Sequence, residues 1–197
     1  MLKNKIAVCL ILKGDGEEPQ RLQRCLNSSA PYVDKIYTTI TGDNPKEIEK
    51  VCKDFKTEIS YIKPFLTVTS EMIQWLENRF KYKPHIQVGE KIFQFDEARN
   101  FNFSQVSKEY DWIFWLDCDD IFRGGEKLQE LLETAEKQKV EAIYLNYLYH
   151  VELDDSGNIK TVVTQNPRER IIHNNCGFQW KGIIHEILTK DIILNPL

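Results

Sequence analysis

The chain opens with an unbroken apolar run, Ile6–Leu12, of the kind found where a strand is buried on both faces of a parallel sheet. Pro19 suits a first helical turn, and Leu22, Cys25 and Leu26 follow at helical spacing. Lys35–Ile40 reads as a second strand and 41–45 as a turn, with Pro45 opening a helix that carries Ile48, Val51, Cys52 and Phe55. A third strand follows at 58–62, so this stretch spells β-α-β-α-β, the signature of an α/β fold with a parallel sheet. Residues 64–92 break the rhythm and read as an insertion near the sheet edge: Ser70 is placed to cap a helix with Met72, Ile73, Leu76 and Phe80, and 81–89 reads as loop. Packing is the simpler use of its aromatic residues, and contact with an acceptor the alternative.

Asp96 is placed to cap a helix over 97–106, and 112–116 is a strongly apolar strand that runs into Asp117-Cys118-Asp119-Asp120. Gly124 and Gly125 lead to a helix near 126–138, followed by a long strand at 141–153 and a turn at 154–158. A return strand fits 159–164, and two further strands fit 169–173 and 178–188. The expected fold is α/β: one domain over 1–197 with a Rossmann-like mixed sheet, parallel in its N-terminal half with helices on both faces, and more antiparallel in its C-terminal half. The halves divide near residue 120.

Composition narrows the function classes. Lys plus Arg total 26 against 30 Asp plus Glu, for a formal charge of −4, so no cationic excess is available for general nucleic-acid binding. Five cysteines (Cys9, Cys25, Cys52, Cys118 and Cys176) show no C-x-x-C spacing, which reads as free, mostly buried thiols in a reducing compartment. The opening apolar run is short for a signal peptide and lacks a small-residue cleavage site, and no stretch approaches the roughly 20 apolar residues of a membrane span. The chain therefore reads as soluble and cytoplasmic.

The chemistry concentrates at the end of the 112–116 strand. Three carboxylates in four residues repel one another unless something cationic sits among them. Hard oxygen ligands of this kind suit Mg²⁺ or Mn²⁺, and the carboxyl ends of parallel strands are where open α/β sheets bind ligands. The alternative is a solvated acidic turn. Arg99, in Glu97-Ala98-Arg99-Asn100, can offer a bidentate fork to a phosphate or simply pair with an acid. His185 can supply an imidazole ligand or a structural hydrogen bond, and Trp180 can floor a sugar site or fill the core.

Together, Lys13 after the first strand, Glu97-Ala98-Arg99-Asn100, the 112–120 segment Trp-Ile-Phe-Trp-Leu-Asp-Cys-Asp-Asp, Glu169-Arg170, and the 180–186 segment Trp-Lys-Gly-Ile-Ile-His-Glu resemble the family 2 glycosyltransferases with the GT-A fold, in order and spacing, over nearly the whole chain. The resemblance implies a nucleotide-diphosphate sugar as donor, a divalent metal (Mn²⁺ or Mg²⁺) and inversion at the anomeric carbon. It further implies that residues 1–120 bind the nucleotide and 121–197 face the acceptor. In it Asp117 faces the ribose, Asp119 is the metal-binding acid with Asp120 as helper, Arg99 contacts the nucleotide side, and His185 completes the metal site. Glu186 is the first candidate for the base that takes the acceptor's proton, with Glu169 and Asp191 as alternatives and a strand-end salt bridge as the rival use of Glu186.

Two departures matter. Ile40 stands where relatives carry a base-reading Asp, leaving Asp43 as the substitute, and Gly14-Asp15-Gly16-Glu17-Glu18 replaces the expected Lys-Asn-Glu run. A UDP-sugar is the default donor by family frequency. The acceptor (protein, peptide, lipid or glycan) is not chosen by any residue. Relatives commonly continue beyond this point, so the chain reads either as a minimal enzyme or as a segment of a longer protein. The rival functions are a nucleotidyltransferase, disfavoured by the acidic first loop, and a non-catalytic binding domain.

Overall fold

The computed structural model describes residues 4–183 and 185–190. In chain order the elements are β1 (Ile6–Leu12), α1 (Glu18–Ser29), β2 (Lys35–Ile40), α2 (Lys46–Asp54), β3 (Glu58–Tyr61), β4 (Phe65–Thr67), α3 (Ser70–Phe80), β5 (Lys91–Phe93), α4 (Phe95–Ser104), β6 (Trp112–Trp115), α5 (Leu128–Gln138), β7 (Ala142–Leu153), β8 (Ile159–His173), β9 (Phe178–Lys181) and β10 (Ile187–Lys190). Single 3-10 turns lie at Ala30–Tyr32 and Gly125–Lys127.

The main sheet has six strands in the order β3-β2-β1-β6-β8-β7. β3, β2, β1 and β6 are parallel, while β8 runs antiparallel to β6 and β7 antiparallel to β8. The fold is thus a mixed α/β sheet whose N-terminal part is parallel and whose C-terminal part is antiparallel. β1 is apolar throughout because both its faces are covered. Ile6, Val8, Leu10 and Leu12 pack with Leu22 and Leu26 of α1, Ile48 of α2 and Leu132 of α5. Ala7 and Cys9 face the opposite layer with Tyr37, Trp115, Val106 and Trp180, which α4 and β9 build. Each fully buried Leu or Ile in the first layer contributes about 1.5–3 kcal/mol of transfer free energy.

Five local readings change. The strands expected at 159–164 and 169–173 are one strand, β8, that runs through Pro167. β6 pairs with β8 only at 171–173, so one edge of β8 is open at Pro167 and a residue without an N–H fits there. The strand expected at 178–188 is a hairpin, β9–β10, because Gly182 turns the chain at φ +113° and a Cβ there would lie 2.9 Å from the His185 carbonyl oxygen. The 64–92 segment adds a small β4–β5 ribbon around α3. Thr69, not Ser70, caps α3, accepting from Met72 N at 3.3 Å. α4 begins at Phe95, one residue before Asp96, whose carboxylate accepts from Glu97 N and from Gly182 N.

All five cysteines are free, three of them buried. Among the described residues no helix is long and apolar enough to cross a membrane.

Candidate active site

Because β1, β2 and β6 are parallel, their carboxyl ends meet at one edge of the sheet. The chain leaves β1 toward β2 and β3, then returns to β6 on the other side, which opens a crevice at the switch point. A cleft of about 570 Å³ occupies this place, walled by the loops after β1 and β2, by Arg99, and by Asp117 to Asp119.

The first two loops are locked together. Thr41 donates through its N–H (2.7 Å) and its hydroxyl (3.0 Å) to the Leu12 carbonyl. Gly42 packs so closely that a Cβ would sit 1.5 Å from the Lys13 carbonyl oxygen, so the close approach of the two loops requires glycine here. Lys63 donates to the Thr41 carbonyl (3.0 Å) and to the Asp43 carboxylate (2.7 Å). The Glu18 carboxylate accepts from the backbone N–H groups of Lys13 and Gly14. Ile40 is buried in the core, and Asp43, three residues on, lines the cleft with its carboxyl held below the usual range by Lys63.

The motif residues converge on Arg99. From α4 its Nη2 donates to Asp117 Oδ1 and its Nε to Glu186 Oε1, each at 2.8 Å. The guanidinium lies against the indoles of Trp115 and Trp180, 4.8 and 4.9 Å from their centroids, and the two rings meet edge to face at 4.8 Å. Asn100 fixes β9 to α4 through two bonds, Nδ2 to the Trp180 carbonyl (2.9 Å) and Trp180 N to Oδ1 (2.8 Å). From β8, Arg170 donates to Asp120 Oδ2 at 3.0 Å and stands 3.5 Å from Asp117 Oδ2, its guanidinium against the rings of Trp115 and Tyr147. Asp120 Oδ2 also accepts from Asp117 N at 2.9 Å.

Two arginines thus resolve the repulsion expected of the acidic run. Burial pushes the Asp117 carboxyl up, but Arg99, and after it Arg170, outweigh this and hold it below the usual range. Burial opposes the charge on Arg99, yet Asp117 and Glu186 keep the guanidinium ionised. Asp120 is raised by burial despite Arg170. Burial also pushes the Cys118 thiol up to about 12, which makes it a poor nucleophile.

Asp119 stands apart. It is exposed, and its carboxylate has no hydrogen bond or ion pair among the described residues. It lines both the cleft and a second cavity of about 840 Å³. His185 is exposed in the β9–β10 turn, and Asp191 lies outside the described residues. Glu169 is half-buried on β8, its carbonyl accepting from Trp115 Nε1 at 2.5 Å. Among the described residues no three His, Cys, Asp or Glu side chains gather as a ready metal cage. Asp120 is turned into the protein. One free carboxylate, Asp119, fits a hard divalent cation that takes its other ligands from a diphosphate and water.

Arg170 and Trp115 fall within segments that carry the resemblance but had no role assigned to them, and Tyr147 was not singled out. The signal for Arg170 was a cation directly before the apolar pair Ile171–Ile172 in a strand, where a buried charge requires a partner.

No protein-family model matches the chain, and no curated protein matches it. Among solved structures it is similar to 4-diphosphocytidyl-2C-methyl-D-erythritol synthase from Anaerococcus prevotii, at 13% identity and a TM-score of 0.45, over 87% of this chain and 70% of that one. A second structure of 4-diphosphocytidyl-2C-methyl-D-erythritol synthase gives 16% and 0.47, over 90% and 78%. S. aureus TarS 1-349 in complex with UDP gives 12% and 0.44, over 80% of this chain, which spans 38% of the TarS chain.

Proposed function

We propose that the chain binds a nucleotide-diphosphate sugar in the cleft at the ends of β1, β2 and β6 and transfers the sugar, with inversion, to an acceptor on the far side of Asp119. The observation that carries this reading is the meeting of three separated motif segments on one side chain. Arg99 joins the strand-end acid Asp117 and Glu186 of the C-terminal segment through two 2.8 Å bonds at the cleft. The three segments that meet there are ones on which the resemblance to family 2 glycosyltransferases rests, which supports this reading.

In this reading the 41–44 loop and Asp43 face the nucleobase, with a uridine nucleotide as the default. Asp117, oriented by Arg99, faces the ribose. Asp119 holds the divalent cation, with exposed His185 as the second ligand taken from the resemblance and Asp120 acting indirectly through the Asp117 backbone. The cation, when bound, neutralises charge developing on the departing diphosphate. The acceptor's oxygen forms a bond to the anomeric carbon as the bond to the diphosphate breaks, and the electron pair leaves with the diphosphate. Glu186, expected as the base, is engaged by Arg99 and serves first to position it.

The nucleotidyltransferase reading is disfavoured by Glu18. Its carboxylate occupies backbone N–H groups after β1 that a triphosphate would need, and brings negative charge to that place.

The test is calorimetric titration of UDP, GDP, TDP and CDP, each with Mn²⁺ and with EDTA. One nucleotide should bind in a metal-dependent way, and Asp119→Ala should weaken that binding at least tenfold. Absence of binding by all four, or unchanged affinity in Asp119→Ala, overturns the assignment. Donor hydrolysis without pyrophosphate release separates sugar transfer from nucleotidyl transfer.

A further inference from the structure

The second cavity lies between the loop after β6, the start of α5 and the β7–β8 ribbon. Its walls are mainly apolar, with half-buried Phe122, Leu131, Leu145, Leu148 and Val151. The β7–β8 ribbon forms one of these walls, and its pairing is irregular there. The pairing of β7 with β8 shifts at Leu148/His150 and again at His150/Val151. Asn146, Tyr147, Leu148 and Tyr149 of the ribbon line the cavity next to these shifts.

Charge adds a second constraint. Arg123 and Lys127 line the same cavity, both exposed, and their side chains have no ion pair or hydrogen bond among the described residues. The acid deepest in the cavity, Asp120, is already neutralised by Arg170. A chain of net charge −4 thus offers two uncommitted cations beside an apolar trough. The third constraint is chemical. Of the carboxylates lining the two cavities, Asp15, Glu18, Asp43, Asp117 and Asp120 are all engaged by hydrogen bonds or ion pairs. Asp119 is left, and it is assigned to the cation. An acceptor that arrives already ionised needs no carboxylate to take its proton.

We infer that this cavity is the acceptor site and that the acceptor is an anionic amphiphile, a phosphate monoester of a long apolar chain. The inference rests on the donor reading above, because Asp119 is the wall that both cavities share. The apolar chain lies along the ribbon, and Arg123 and Lys127 hold the phosphate. A phosphate oxygen bonds to the anomeric carbon, the bond from that carbon to the nucleoside diphosphate breaks, and its electron pair departs with the diphosphate. No proton changes hands.

The test uses the full chain and decyl phosphate below its micelle-forming concentration, with inorganic phosphate and decyl maltoside as partial mimics. Decyl phosphate should bind saturably and at least tenfold more tightly than either mimic. Arg123→Ala combined with Lys127→Ala should weaken it tenfold or more, and Leu148→Asp should abolish it, while nucleotide affinity stays at the wild-type value in both. With donor present, labelled sugar should pass into the organic phase. Equal binding by inorganic phosphate, equal binding by decyl maltoside, or indifference to both variants overturns the proposal. Nucleotide binding without decyl phosphate binding overturns the acceptor assignment alone and points to a peptide or glycan. Decyl phosphate binding without nucleotide binding overturns the donor reading, and the acceptor role with it.

Discussion

Replacing Arg99 by Met tests whether the motif residues hold the domain together as well as serve its chemistry. Methionine keeps an apolar stem against Trp115 and Trp180 but removes the cation from Asp117 and Glu186. Breaking a buried ion pair by deleting one partner costs about 3–5 kcal/mol. The Glu186 side chain, 16% exposed, approaches that limit. Asp117 is 37% exposed and has Arg170 at 3.5 Å, so its share is screened. The expected loss is therefore about 3 kcal/mol, which for a chain of this size lowers Tm by about 6–12 °C. The loss should depend on pH. In the native protein the Asp117 carboxyl is held below its unfolded value, so it adds stability above that value and surrenders it as pH falls through the folded value. In the variant the cation is gone and burial remains, so Asp117 protonates more readily and the deficit relative to wild type shrinks as pH is lowered. Urea unfolding at pH 7.5 and at successively lower pH measures both effects. Adding Asp117→Asn and Glu186→Gln to Arg99→Met should recover most of the loss, since the orphaned charges are then removed. A loss below about 1 kcal/mol, a deficit indifferent to pH, or no recovery in the triple variant would refute the reasoning.

Asn100→Ala should cost about 2 kcal/mol, because the backbone N–H and carbonyl of Trp180 both lose their partner, and amide exchange at Trp180 should accelerate. Gly42→Ala forces a Cβ against the Lys13 carbonyl, so stability should fall by about 1–3 kcal/mol and nucleotide affinity should fall with it in the same titration. Asp119→Asn should leave the urea midpoint within about 0.5 kcal/mol of wild type, since the side chain has no partner to lose; a larger drop would mean the carboxylate is structural.

What the sequence disclosed, and what it hid, follows from how local each signal is. The buried run of β1, the helical spacing of Leu22, Cys25 and Leu26, and the helix opened by Pro45 are written in neighbouring residues, and the corresponding elements form as expected. β4 and β5 are three-residue strands with no alternation to betray them, and they exist because they pair with each other across α3. The gap left between the strands expected at 159–164 and 169–173 holds Pro167, and whether a proline interrupts a ladder depends on which edge is paired, which is a tertiary fact. Gly182 hid inside an apolar stretch that read as one strand, because its positive φ leaves no trace in the hydrophobic pattern. At the candidate site, the residue types were legible and their company was not. The acidic run demanded cations, but the sequence could not say that one comes from α4 and the other from β8.

The free carboxylate of Asp119 has a consequence for how lineages of such a domain diverge. Arg99, Asp117, Asp120, Arg170 and Glu186 bind α4, β6, β8 and the β9–β10 turn into one charge network, so their loss would cost the fold whether or not the domain turns anything over. A descendant that no longer transfers anything would keep its most recognisable motifs. Asp119 is under no such obligation, since nothing in the fold leans on it. If the proposed function holds, drift at that one position, rather than at the more conspicuous arginines and tryptophans, is where its loss would first be recorded.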